Sequence, residues 1–103
     1  ENLETYRENR KILLSALPEM GFNNIAPPDG AFYLYIDISE FSSDSYDFTI
    51  KMLNIGGVAI TPGIDFDPIK GKSKIRISYA RSTPEILKGI KRIKIFMDEK
   101  KYL

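Results

Sequence analysis

The chain has 103 residues, a formal net charge of +1, no cysteine and no histidine. That length supports one domain with one modest core, and the two absences exclude a disulfide framework, thiol chemistry and the commonest general base and metal ligand. The near-neutral charge gives no whole-molecule pull on nucleic acid, no apolar run approaches the ~20 residues of a membrane span, and no signal-peptide pattern opens the chain, all of which fits a cytoplasmic protein without a nucleic-acid or membrane partner.

Residues 2 to about 20 predict a helix, with Leu3, Tyr6, Leu13 and Leu17 on one stripe and Arg7, Arg10 and Lys11 between them. Pro18 should end or kink it, with Gly21 closing a last turn. Asn23 to Gly30 reads as a loop, because Pro27-Pro28-Asp29-Gly30 is strong turn chemistry. Ala31 to Ile38 predicts a strand in which Phe32, Leu34, Ile36 and Ile38 alternate with Tyr33, Tyr35 and Asp37; two rather apolar faces suggest a central position. Asp44 or Ser45 should cap a helix from about Tyr46 to Ile55, with Phe48, Met52 and Ile55 on its buried stripe and Gly56-Gly57 at its end.

Val58 to Thr61 predicts a short strand, and a turn-rich connection with two prolines leads to another over Ser73 to Ala80. Ser82 with Glu85 fits a capping box, or Thr83 caps with Pro84 as the first helical residue. The final helix then carries Ile86, Ile90, Ile93 and Met97 on one stripe and runs to about Lys100. The mixture predicts an α+β fold: a two-layer sandwich of a small sheet, three to four strands, with helices on one face. Residues 1–103 form a single domain, and the opening Glu1-Asn2-Leu3-Glu4, without an initiator methionine, leads us to expect a piece of a longer chain.

Few residues offer chemistry. Arg76 shares a strand face with Lys74 and Ser78, opposite Ile75 and Ile77, so it should project from the uncovered face, where a planar guanidinium suits bidentate binding of a carboxylate or phosphate. Alternation alone favours the plainer alternative of an arginine on the wet side of a sheet. Thr61-Pro62-Gly63 could bring backbone close to a ligand, or be a plain strand exit, which the sequence by itself favours. Tyr33 and Tyr35 share a face, as base-stacking aromatics do in some RNA-binding domains; core packing is the commoner use. Lys88, Lys91, Arg92, Lys94, Lys100 and Lys101 make the last helix basic, which is more often a solvated face than a phosphate site. The aspartates have no metal-like spacing, no phosphate loop is present, and no nucleophile has a base. The residues therefore offer a binding site and no self-contained catalytic machinery.

Three segments in order, Pro28-Asp29-Gly30-Ala31-Phe32-Tyr33, Gly57-Val58-Ala59-Ile60-Thr61-Pro62-Gly63 and Ile75-Arg76-Ile77-Ser78-Tyr79-Ala80, resemble the C-terminal small domain of class I/II, fold-type I pyridoxal-phosphate aminotransferases of the aspartate aminotransferase kind. The helix from Tyr6 and the helix after Ser82 match as well, so the resemblance spans essentially the whole chain. Ile64-Asp65-Phe66-Asp67-Pro68 departs from the small residues many relatives carry after Pro-Gly. The resemblance implies that Arg76 binds the α-carboxylate of an amino-acid or 2-oxo-acid substrate, that Phe32 lines the substrate side, and that Thr61-Pro62-Gly63 shapes a turn near a domain interface. It implies amino-group transfer on pyridoxal 5'-phosphate, held mainly by a large domain with the Schiff-base lysine, in a homodimer. No lysine of this chain takes that role, and no catalytic, cofactor-binding or metal residue is expected in it; alone it should be inactive. The competing expectation is a free-standing α+β module for RNA or an anionic metabolite.

Overall fold

A computed structural model describes residues 3–26 and 31–103 of the chain. The Pro27–Gly30 turn expected from the sequence lies outside these residues. Helix α1 spans Leu3–Glu19, α2 Ser45–Lys51 and α3 Thr83–Asp98; strands are β1 Asn24–Ala26, β2 Tyr33–Asp37, β3 Thr61–Pro62 and β4 Lys74–Ser78. The strands make one antiparallel sheet in the order β1-β2-β4-β3. β2 and β4 are its centre, paired from Tyr33 opposite Ser78 to Asp37 opposite Lys74.

Both central strands alternate strictly between buried and half-buried residues. Leu34, Ile36, Ile75 and Ile77 point into a core shared with Leu13 and Leu17 of α1, Phe48 of α2, and Ile86, Ile93 and Phe96 of α3. The helices therefore cover one face, as the expected sandwich requires. The other face carries Tyr33, Tyr35, Asp37, Lys74, Arg76 and Ser78.

Helix α1 continues one residue past Pro18 before the chain reverses. The N–H of Phe22 donates to the Leu17 carbonyl at 3.1 Å, and that of Gly21 to Pro18 at 3.1 Å. This is a Schellman closure with Gly21 left-handed at φ 99° and Phe22 buried beside Leu17. The buried stripe is Asn9, Leu13 and Leu17; Leu3, expected on it, is half exposed.

Three further expectations need correction. Asn24–Ala26 is not loop but an edge strand; three residues with only Ile25 a strong strand former gave no alternation to detect. The helix from Asp44 does not stay α-helical to Ile55. Its last turn widens to a π-helix over Met52–Gly56, which rotates Ile55 off the Phe48–Met52 stripe and leaves it 56% exposed. Gly57 ends it at φ 75°, as the Gly-Gly pair led us to expect. The predicted Val58–Thr61 strand pairs only over Thr61 and Pro62. A proline is tolerated there because β3 is an edge strand and Pro62 needs no N–H on its outer side. At α3 the structure chooses between the two caps: Ser82 is the N-cap with a complete capping box from Glu85.

One buried polar residue holds the two terminal helices together. Asn9, fully buried, donates from Nδ2 to the carbonyls of Tyr79 at 3.1 Å and Arg81 at 2.6 Å. Its Oδ1 accepts from the Thr83 hydroxyl at 2.8 Å. Both ends of the side chain are satisfied, which is what permits its burial. Removing it strands two carbonyls and a hydroxyl at the junction of β4 and α3. Asn9→Ala is expected to cost about 2–3 kcal/mol in urea denaturation. A loss under about 0.5 kcal/mol would show the latch to be dispensable.

Candidate functional site

Arg76 sits mid-strand in β4, flanked in register by Tyr35 on β2 and Thr61 on β3. Strand alternation sends its side chain to the open face. There its guanidinium carbon lies 4.5 Å from the ring centre of Tyr33 and 4.4 Å from that of Phe66. Both distances fall within cation–π contact, so the planar head is held by two aromatic groups. Among the described residues no carboxylate comes within ion-pair distance of it. Aromatic contacts orient a guanidinium without satisfying its N–H fork, and that fork is the group suited to an anion.

Phe66 reaches the site from the connection between β3 and β4, and two glycines shape that connection. Gly63 and Gly71, both buried, face each other so closely that a Cβ on Gly71 would land on the Gly63 carbonyl. Neither glycine has a positive φ; their missing side chains permit backbone contact. The Ser45 hydroxyl donates to the Gly71 carbonyl at 2.8 Å and fixes this contact to α2. Asp67 Oδ1 accepts from the N–H groups of Ile69 and Lys70 and closes the next turn. The Thr61-Pro62-Gly63 turn thus brings backbone against backbone.

Tyr35 packs on Phe66 with ring centres 5.3 Å apart. Its phenol pKa is raised, first by burial and then by the charge of Asp67 and by Tyr33. At the far end of the face, Lys74 pairs with Asp37 at 3.5 Å across the strands. Asp37 Oδ1 also accepts from the Ser39 N–H at 2.8 Å. That backbone hydrogen bond is the largest cause holding the Asp37 carboxyl below its usual range, with the Ser39 hydroxyl and Lys74 adding to it against a smaller effect of burial.

Phe32 and Arg76 line one shallow concavity of about 370 Å³, together with Tyr33, Thr61 and Ser78. The Phe32 ring rests edge-on to Tyr6 at 5.3 Å and to Tyr79 at 6.1 Å, and the residue is 43% exposed. The features that suggested RNA do not come together. Tyr33 is engaged by Arg76 and Tyr35 by Phe66 and Lys74, while α3 with its lysines lies across the covered face. No lysine of the chain is buried; Lys51, Lys74, Lys94 and Lys101 are ion-paired. Among the described residues no cluster of acidic side chains could hold a metal ion.

The family described as aminotransferase class I and II matches residues 1–93. The chain belongs to this family. Aminotransferases resembling it include valine–pyruvate aminotransferase of Mycobacterium tuberculosis, 49% identical over 92 residues, which cover 89% of this chain and 24% of that protein. Another is aspartate/prephenate aminotransferase of Thermus thermophilus, 35% identical over 86% of this chain and 22% of that one. In solved structures, an aminotransferase from Mycobacterium tuberculosis superposes with a TM-score of 0.92 at 46% identity, over 95% of this chain and 25% of its own. Thermus thermophilus aspartate aminotransferase with maleate gives 0.77 at 34% identity, over 89% and 23%. The chain thus spans about a quarter of the length of the aminotransferases it matches.

Sequence reasoning on this aminotransferase chain singled out Arg76 and Phe32 and missed the partner that holds Arg76. Phe66 lies ten residues away in an irregular connection, where no periodicity reports orientation. The aromatic identity of Phe66 between two aspartates was the only signal available.

A carboxylate with a lowered folded pKa binds fewer protons folded than unfolded. Its stabilisation is therefore present above the unfolded pKa and lost as pH falls through the folded one. Asp37→Asn is expected to lower stability by about 1 kcal/mol at pH 7, the sum of a turn hydrogen bond and a partly exposed ion pair. The difference from the unsubstituted chain should shrink as pH falls below the ordinary carboxylate range and be lost once the folded carboxyl is protonated. A pH-independent difference in denaturation midpoints would remove Asp37 as the titrating group.

Proposed function

We propose that this chain is the small, C-terminal domain of a cytoplasmic, homodimeric pyridoxal-phosphate aminotransferase, and that Arg76 binds the α-carboxylate of its amino-acid and 2-oxo-acid substrates. The carrying observation is a guanidinium oriented by Tyr33 and Phe66 on an open sheet face with no carboxylate of the described residues within ion-pair distance. Contact with two rings restricts the rotamers of the head before any ligand arrives, so less entropy is lost when an anion binds. A carboxylate matches two parallel N–H donors of the fork and would neutralise the charge. The relative from Thermus thermophilus solved with maleate, a dicarboxylate, is consistent with that class of ligand. Phe32, beside Arg76 in the same concavity, contributes an apolar wall to the substrate side.

The family uses pyridoxal phosphate, which supplies the electron sink for amino-group transfer. The described residues do not fit a cofactor cradle of their own. Every lysine is exposed to solvent or ion-paired, and among the described residues no acidic side chain is buried. We therefore assign this chain the binding and orientation of substrate and leave the cofactor to the rest of the polypeptide. Alone, the domain is inactive. Among the described residues no helix is long and apolar enough to cross a membrane.

In the full-length enzyme, Arg76→Ala should lower kcat/KM by roughly 10²–10³-fold, equivalent to about 3–4 kcal/mol of lost charge-assisted binding. Arg76→Lys should recover only part of it, because an ammonium keeps the charge and loses the fork. Steady-state kinetics on several amino donors would show the loss with all of them, since every α-amino acid shares that carboxylate. Unchanged kcat/KM in Arg76→Ala, or a loss confined to donors with acidic side chains, would overturn the assignment.

A further inference from the structure

The connection between β3 and β4 is tied down more firmly than its share of the core explains. No side chain from Ile64 to Lys70 is buried; the buried residues of the connection are Gly63 and Gly71. Its backbone is nevertheless fixed at successive points. The Gly63 carbonyl accepts from the N–H groups of Phe66 at 3.1 Å and Asp67 at 2.9 Å, and the Asp67 carbonyl accepts from the Gly71 N–H at 2.8 Å. Gly71 lies against Gly63, and its own carbonyl takes the Ser45 hydroxyl at 2.8 Å. Ser45 is buried at the start of α2, yet its hydroxyl does not cap that helix. Asp44 is the cap, accepting from the Asp47 N–H at 3.0 Å. The Ser45 hydroxyl is therefore committed to the loop, and its hydrogen bond there is what permits its burial.

What this anchoring presents is one side chain. Phe66 is 41% exposed, so burial does little to hold its ring. The ring stands between Tyr35, with centres 5.3 Å apart, and the Arg76 guanidinium at 4.4 Å. Tyr35 is placed by the strand ladder, directly opposite Arg76. We propose that Phe66 is a positioning residue for recognition of the substrate carboxylate, and that Ser45 is a second one, acting on Phe66 through Gly71 and Gly63. The inference rests on the carboxylate role proposed for Arg76 above and names the residues that aim its fork. Tyr33 and Phe66 together restrict the guanidinium; with Phe66 gone or displaced, one ring contact remains and the head regains rotamers that an anion must freeze out on binding. The hydrogen bonds carry this restraint from one layer of the sandwich to the other. Helix α2 packs on the covered face, yet its first residue decides how a cation sits on the open one.

Steady-state kinetics on the full-length enzyme test this. Phe66→Leu keeps an apolar side chain and removes the ring; kcat/KM should fall about 5- to 20-fold with every amino donor. The loss should fall on KM more than on kcat, because the carboxylate is held before and during chemistry alike. Phe66→Tyr keeps the ring and should stay within about twofold of the unsubstituted enzyme. Ser45→Ala should lower kcat/KM about 3- to 10-fold. Because Ser45 acts through Phe66, adding Ser45→Ala to Phe66→Leu should cost less than about twofold more. A Ser45→Ala enzyme with a lowered Tm and unchanged kcat/KM, or losses that multiply in the double variant, would overturn the Ser45 role. Phe66 lies outside the core, so Phe66→Leu decides the matter even where Ser45→Ala fails to fold: an unchanged kcat/KM, or an equal loss in Phe66→Tyr, overturns the proposal. Arg76→Ala without effect would remove the carboxylate reading and this inference together. A large loss in Arg76→Ala beside an unchanged Phe66→Leu would remove only the inference.

Discussion

One-sided burial of the β2–β4 pair is the constraint from which the rest of this domain follows. The two strands are in register over five residue pairs, and each alternates buried with half-buried positions. Leu34, Ile36, Ile75 and Ile77 must leave water, and burying them is worth roughly 1.5–3 kcal/mol per side chain. Three helices supply that cover. A register slip of one residue would carry Arg76 and Lys74 into the core and the isoleucines out of it, a cost no surface interaction could offset. The same constraint that builds the core thus fixes Arg76 on the opposite side.

What happens to Arg76 on that side depends on a loop. A guanidinium on a flat, wet sheet face would sample several rotamers; here Tyr33 lies on one side of it and Phe66 on another. Tyr33 comes from the neighbouring strand and is placed by the ladder. Phe66 comes from the irregular connection, whose path is set by the Gly63–Gly71 contact and by Ser45 anchoring it to α2. Orientation of this guanidinium is therefore shared between a rigid sheet and a loop tied down at its glycines, and a side chain at either glycine would move Phe66 without touching Arg76.

The alternating strands, the capping box at Ser82 and the left-handed exit at Gly57 were legible because each is a local physical preference written in adjacent residues. The exposed face of Arg76 followed from the alternation alone. The clamp around it did not, since the side chain of Phe66 is aimed by a contact between two glycines eight residues apart. β1 was invisible because three residues in register with β2 owe their strand to pairing and not to their own propensity. Ile55 was misplaced because a π-turn changes the helical period, and nothing in Met52-Leu53-Asn54-Ile55 announces that change. Asn9 lies outside the apolar stripe expected of the first helix; its burial is explained only by carbonyls and a hydroxyl seventy or more residues away.

The glycines separate what this domain completes by itself from what it leaves open. Gly21 and Gly57 take left-handed backbone at helix ends, and Gly63 and Gly71 permit a contact whose other half is present. Each has its reason inside the chain. Gly89 does not: it weakens α3 and faces space, beside a sheet edge whose next residue, Ile60, has backbone groups without partners among the described residues. Arg76, on the other face, is an oriented cation with no carboxylate partner among the described residues. The two features lie one on each layer, so neither face of this small domain is wholly closed by the chain's own described residues.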